Sequence, residues 1–216
     1  MHTPPAPSRI ARRAALLVLS LALAAPVLTA HAQAAGDWTL AIGAHRVAPA
    51  SDNGTLAGGS LPLSIDASAR PTLALEYFVR DNLGIELLAA APFQHHITID
   101  GLGRVGSTRH LPPTLSLQYH FGRGGRVTPL LGAGVNYTAF FGERTEGALA
   151  GSDLTLAESW GLAAHAGIDI ALGGRGALRI DARWMDIDSR VRVDGAALGT
   201  ARIDPWVYGA AWVWTF

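Results

Sequence analysis

Apolar and polar positions alternate with a period of two over most of the chain beyond residue 37, the pattern of strands that present one apolar face. Leu73, Leu75, Tyr77 and Val79 are interleaved with Thr72, Ala74, Glu76 and Phe78. After Arg80-Asp81-Asn82 the alternation resumes as Leu83, Ile85, Leu87 and Ala89 against Gly84, Glu86, Leu88 and Ala90, which predicts a β-hairpin. A second hairpin is predicted from Leu115, Leu117, Tyr119 and Phe121, followed by Pro129, Leu131, Ala133, Val135 and Tyr137. A third runs through Trp160, Leu162, Ala164, Ala166, Ile168 and Ile170, then Leu178, Ile180, Ala182 and Trp184. One strand beginning at Trp38 and one ending at Phe216 bring the expected number to eight.

The connections sort by length. Residues 80–82, 122–126 and 173–175 read as short turns, whereas 51–70, 93–112, 142–157 and 194–204 read as long loops rich in Gly, Ser and Asp. Short turns at one end and long loops at the other are the layout of an outer-membrane barrel, and the strands reach the roughly 9–11 tilted residues that a bilayer crossing requires. Face polarity points the same way. One face is almost purely Leu, Ile, Val and Ala with Trp and Tyr near strand ends, and the other carries Glu, Asp, Arg, His, Gln and many Gly. Eight strands enclose room for side chains or one slim ligand, so the small and polar face fits the lumen and the apolar face is left for lipid. Closure also pairs every backbone N–H and C=O, as hydrocarbon demands. A soluble lipocalin-like barrel would need charges on the outer face of most strands. The expected fold is therefore all-β, an eight-stranded antiparallel transmembrane barrel with short periplasmic turns and long extracellular loops.

Composition narrows the chemistry. Charged residues make up 16 % of the 216 and Gly contributes 25, sparse charge and heavy Gly for a soluble globule. All 17 basic residues are Arg and the formal net charge is zero, so no basic face for nucleic acid is advertised. Without Cys there is no disulfide, thiolate metal site or Cys nucleophile. An apolar content of 49 % excludes wholesale disorder. Residues 1–32 read as a cleaved secretory signal peptide, leaving 33–216 as the barrel. Arg9, Arg12 and Arg13 form its positive start and Ala14–Ala25 its apolar stretch. Ala30-His31-Ala32 or Ala32-Gln33-Ala34 supplies the small-x-small cleavage site. Its removal leaves 14 Arg against 17 acids, a formal charge of −3. No later segment has 18 consecutive apolar residues, so no transmembrane helix is expected in the mature chain.

The chain end, Asp204-Pro205-Trp206-Val207-Tyr208 through Trp212, Trp214 and Phe216, resembles the C-terminal signal by which outer-membrane barrels are recognised for assembly. Several stretches, in order along nearly the whole mature chain, resemble the OmpW family of small outer-membrane proteins. They are Asp81-Asn82-Leu83-Gly84-Ile85-Glu86-Leu87-Leu88-Ala89-Ala90, His110-Leu111-Pro112-Pro113-Thr114-Leu115, Gly132-Ala133-Gly134-Val135-Asn136-Tyr137-Thr138, Ser159-Trp160-Gly161 and Met185-Asp186-Ile187-Asp188. The resemblance implies an eight-stranded barrel with a narrow, largely hydrophobic interior and a role in moving small hydrophobic molecules across the outer membrane. It also implies surface roles in stress or as a bacteriocin receptor. The partners expected are outer-membrane lipid and lipopolysaccharide, the barrel-assembly machinery and small hydrophobic solutes. Arg183 stands at an inward position where the family pattern leads one to expect an aromatic, which argues against a purely greasy channel.

Turn lengths also fix candidate lumen pairs. The turn at 80–82 sets Glu76 opposite Glu86, and that at 173–175 sets Asp169 opposite Arg179 and His165 opposite Arg183. Glu76, Glu86, His165, Asp169, Arg179 and Arg183 are the expected lumen charge network, either a plug that stabilises the barrel or a polar gate below a hydrophobic cup. Above that ring, Leu88, Ala90, Leu130, Gly132 and Gly134 are apolar or small inward positions, and Leu88 and Leu130 are candidate path residues. Phe93 and Phe140 are candidate cup-wall residues, with Leu61, Leu63, Ile65, Ile97, Ile99 and Phe141 on the long loops beside them. His95, His96 and His110 match no metal-ligand spacing and read as solvent-exposed, so neither metal nor cofactor is expected. Ser159, His165 and Asp169 share one inward face. At about 3.3 Å per residue, however, Ser159 and His165 are about 20 Å apart, too far for a catalytic triad, so no enzyme is expected. The reading is a narrow channel or binding cup for small hydrophobic molecules. The alternative is a structural or surface-interaction protein whose extracellular loops bind partners without transport.

Overall fold

The computed structural model describes residues 34–122 and 125–216; the expected signal peptide lies outside them. In chain order the strands are β1 (Trp38–Ala48), β2 (Thr55–Leu56), β3 (Leu61–Ile65), β4 (Ser68–Arg80), β5 (Leu83–Ala90), β6 (Phe93–Ile99), β7 (Gly103–Leu111) and β8 (Thr114–His120). They continue as β9 (Val127–Thr145), β10 (Leu154–Leu156), β11 (Ser159–Gly173), β12 (Gly176–Met185), β13 (Asp188–Val193), β14 (Ala196–Arg202) and β15 (Trp206–Thr215). Eight of them close a barrel in the order β11-β12-β15-β1-β4-β5-β8-β9, with β9 returning to pair with β11. Every neighbouring pair is antiparallel. Asn82, at φ 66°, makes the tight β4–β5 turn, a left-handed conformation that Asn tolerates better than most residues.

The barrel wears its apolar face outward. Leu117 is 50 % exposed, while Glu86 on the opposite parity is 0 % exposed. Side chains of alternate residues point to opposite faces of a strand, so the period-two pattern becomes an outer band of Leu, Ile and Val around a polar lumen. Aromatic girdles bound the band. Trp38 packs on Tyr77 and Tyr119 on Phe121 at the end of the short turns, and Tyr137 packs on Trp160 at the other, with ring centroids 4.8–4.9 Å apart. Such girdles sit at the two edges of a hydrocarbon layer. Inward glycines make room in the narrow bore. A Cβ on Gly84 would strike the Glu76 side chain, and one on Gly132 would strike Gln118.

The long connections are not loops but a second tier of strands, a departure from the expectation for 51–70, 93–112, 142–157 and 194–204. β9 runs on beyond the girdle and its distal part pairs with β7, which pairs with β6, then β3, then β2. A separate sheet, β10-β13-β14, supplies the rest of this tier. Asn53 joins the two parts. Its Nδ2 donates to the Arg202 carbonyl at 2.8 Å, and its Oδ1 accepts from the Ile65 N–H at 3.0 Å. Proline separates the tiers, because it offers no N–H to a ladder. Pro92 lies between β5 and β6, Pro112 and Pro113 between β7 and β8, and Pro205 before β15. The β5–β8 pairing ends at Leu88↔Thr114 and the β6–β7 pairing starts at Phe93↔His110, leaving residues 89–92 and 111–113 between two ladders. The Asn136 amide donates to the carbonyls of Pro112 (3.1 Å) and Pro113 (3.3 Å) in that interval, which satisfies groups the ladders leave over.

Candidate functional site: a charged lumen beneath an apolar cup

Hairpin register assembles the lower half of the interior. Glu76 lies opposite Glu86, Asp169 opposite Arg179, and His165 opposite Arg183. Two carboxylates facing each other out of water require cations and donors around them. Arg179 supplies most of this. Its Nε and Nη2 fork onto Asp169 at 2.7 and 2.9 Å, its Nη1 donates to Glu86 at 3.0 Å, and Glu76 lies 3.7 Å from Nη2. Arg183 donates to Glu86 at 2.6 Å and to Asp181 at 3.1 Å. His165 bridges Gln118 and Asp181, 2.9 Å to each, and Gln118 in turn donates to Glu86 at 3.2 Å.

Four residues of this network escaped the sequence reading. Asp181 is bound from three sides, by Arg183, His165 and His45, the last at 2.9 Å. His120 contacts Glu76 at 2.9 Å. His45 also hydrogen-bonds Thr72 at 2.6 Å. Gln118 links strand β8 to both β5 and β11. The signal that would have found them is parity alone: each shares the inward phase of its strand with residues already selected. Four carboxylates, two guanidinium groups and three imidazoles thus fill one buried cross-section of the bore. A network paired this densely is a rigid plug, since each group's removal would leave another unpaired in a medium of low dielectric; among the described residues only Nδ1 of His120 within it lacks a hydrogen-bond partner.

Above the plug the interior turns apolar. Leu88, Phe93, Met185, Ile187, Ile203 and Val207 form a buried cluster, with Phe140 packed against it. Leu88 therefore sits on the inner wall directly above the charges. Phe93 forms part of this partition rather than of the cavity wall, and Phe140 lines the cavity itself. Leu130 is a correction. It lies opposite His120, itself part of the charge network, and so stands level with the short-turn side of the ring and not above it. The reason is strand direction: β9 rises from the periplasmic turn, so its early residues sit low whatever their parity.

The upper tier encloses a cavity lined chiefly by Leu56, Leu63, Ile97, Ile99, Val105 and Val191. The empty space within it and in front of its mouth, open solvent included, is about 660 Å3. Apolar residues of the expected loops thus form a cup wall as alternate positions of real strands. The histidines require a second correction. His95 and His110 are not solvent-exposed; they are 2 % and 1 % exposed and line this cavity, because they share the inward phase of β6 and β7 with Phe93 and Ile97. Their rings stack with centroids 4.9 Å apart. Burial, with some help from neighbouring His95, pushes the His110 imidazole down to about 3, so it is neutral. His95 is shifted down as well, chiefly by burial. His96 points outward to Asp66, 2.7 Å away.

A closed eight-stranded sheet with an apolar outer band, two aromatic girdles and a polar lumen defines a β-barrel of the outer membrane. The OmpW family matches residues 34–216, and the chain belongs to that family. Outer membrane protein W of Escherichia coli is 36 % identical over 187 residues, which is 83 % of this chain and 88 % of that protein. The Vibrio cholerae protein of the same name is 36 % identical over 205 residues, 89 % of this chain and 93 % of its own length. Among solved structures, the outer membrane protein OprG from Pseudomonas aeruginosa superposes with a TM-score of 0.75 at 31 % identity, covering 88 % of this chain and 99 % of that one. The protein is accordingly located in the outer membrane.

Proposed function

We propose that the protein admits small hydrophobic molecules from outside into the apolar cup and releases them sideways into the membrane, without catalysis. The observation that carries this reading is the stacking of an apolar cavity, across an apolar partition, on a buried and densely paired charge plug. A solute that prefers the cavity cannot continue downward, because entry would separate Arg179 and Arg183 from their carboxylates at a cost of several kcal/mol. The wall offers the other exit. Residues 89–92 and 111–113 lie between two ladders close to the outer girdle, so opening there breaks few backbone hydrogen bonds. An eight-stranded bore is in any case too narrow for an aqueous channel.

Reconstituted barrels in liposomes test the idea. Uptake of an apolar fluorescent probe should be faster than in protein-free liposomes, while a charged dye of similar size should show no difference. Equal uptake of the apolar probe with and without protein would end the transport reading and favour a loop-binding surface protein. That second reading predicts that trimming the upper tier abolishes partner binding and leaves the barrel folded. Lipopolysaccharide belongs to the proposed surroundings. Arg190, Arg192 and Arg202 point outward from β13 and β14, where anionic phosphate groups would meet them. The exposed C-terminal aromatics Trp206, Tyr208, Trp212, Trp214 and Phe216 supply the proposed handle for the assembly machinery.

A further inference from the structure

The surface that the cup exposes is wholly apolar, and its polar side chains lie just beneath that surface. Of the polar side chains lining it, Ser189 donates to the Ala157 carbonyl at 2.7 Å and Thr108 to the Arg109 carbonyl at 3.3 Å. His95 and His110 differ. His95 donates from Nδ1 to the Asp66 carbonyl at 2.5 Å, which leaves its Nε2 as a lone-pair acceptor. That Nε2 has no hydrogen-bond partner among the described residues, and neither has Nε2 of His110. Both atoms are buried, and both rings lie in one aromatic ledge, with Phe93 and Phe140 packed against His110 at centroid distances of 5.6 and 5.8 Å. Buried polar atoms are nearly always paired, and an acceptor left unpaired beside a cavity favours a ligand able to pair it.

We propose that the floor of the cup is a recognition site for a neutral hydroxyl group, so that the cup selects alcohols and phenols over plain hydrocarbons of the same size. The inference rests on the apolar cup of the preceding reading and adds the polar end of the ligand. A hydroxyl both donates and accepts, so it serves the lone pair of His95 and either tautomer of His110. Among the described residues the lining contains no Arg to hold a carboxylate and no Asp or Glu to hold an ammonium, which leaves ionic head groups unsupported in an apolar chamber. A metal ion is a poorer occupant. The two rings stack within 20° of parallel, and among the described residues no group of three or more His, Cys, Asp or Glu is placed to hold one.

Phenol and toluene make the test, being close in shape and differing in the hydroxyl. The full-length mature barrel in lipid nanodiscs is titrated with each at equal concentration in the lipid phase. Binding is read from the methyl resonances of Leu63 and Ile97, and pairing from the 15N resonances of the His95 and His110 side chains. The expected result is that phenol binds about three- to tenfold more tightly, the ratio one added hydrogen bond supplies, and that it alone moves the Nε2 resonances. His95→Leu should bring the ratio of phenol to toluene affinity towards one. Equal affinities with unmoved Nε2 resonances in the unmodified protein would overturn the hydroxyl site and leave the apolar cup standing. Binding of neither compound would overturn both.

Discussion

The membrane-spanning lumen and the cup above it solve opposite problems with the same strand alternation. In the lumen, inward positions are Glu, Asp, Arg, His and Gln, and nearly every polar atom has a partner across the bore. In the cup, inward positions are Leu, Ile and Val, and the two imidazole rings beneath its floor each keep a nitrogen without a partner among the described residues. The contrast teaches that paired charges close space whereas apolar side chains of unequal length leave it open. Guanidinium and carboxylate groups reach across a narrow bore and lock in fixed geometry. Leu and Val have no such reach, and in the upper tier, where two separate sheets make up the wall, they line a cavity instead of filling it.

The largest break in this comparison is expected from Arg179→Met. It removes the cation shared by Asp169, Glu86 and Glu76, and stability should fall by about 3–5 kcal/mol in urea unfolding from detergent. A loss below 1 kcal/mol would mean the carboxylates are not dry. Next comes Leu117→Arg on the outer face. Near the mid-plane it should cost about 2–4 kcal/mol, whereas Val127→Arg at the short-turn rim should cost about 0–1 kcal/mol. Equal costs would contradict the placement of the girdles.

Asn53→Ala probes the upper tier alone. Losing both of its backbone contacts should destabilise the cup by about 1–3 kcal/mol, seen as faster amide exchange in β3 and β14 with the lumen strands unchanged. The smallest effect is acid sensitivity. In the folded cup His110 titrates at about 3, below its ordinary value of 6.5, so the unfolded tier binds more protons between these limits. Stability of the cup should therefore fall as pH drops from about 6.5 towards 3. His95, also lowered, acts with the same sign beside Asp66, His96 and Arg70. Amide protection in β6 and β7, corrected for intrinsic rates, should be lower at pH 5 than at pH 7.5; no change would refute the burial of the pair.

The barrel itself was legible because a half-polar strand writes its two faces into the chain one residue at a time. Hairpin turns then fix register, which is how Glu76 could be set opposite Glu86 and Asp169 opposite Arg179. Height along the axis was harder to read. Leu130 has the right parity, but its level follows from the direction of β9 and not from its neighbours. The upper tier was obscured by register shifts at Ile97/Thr98, Ser107/Arg109 and Val191/Arg192, which interrupt the alternation and make strands look like Gly-rich loops. Even so, Phe93, His95, Ile97 and Ile99 keep period two, and that run alone would have put His95 indoors and His96 outdoors.

The division of the interior is tested most directly by solid-state NMR contacts to 13C-labelled octane added to the barrel in lipid bilayers. Cross-peaks are predicted to the inward side chains of Leu63, Ile97, Val191 and Phe140, and none to Gln118, Glu86 or Arg179. Contacts to Glu86 or Arg179, or no contact to the cup residues, would contradict a sealed charged lumen beneath an open apolar chamber.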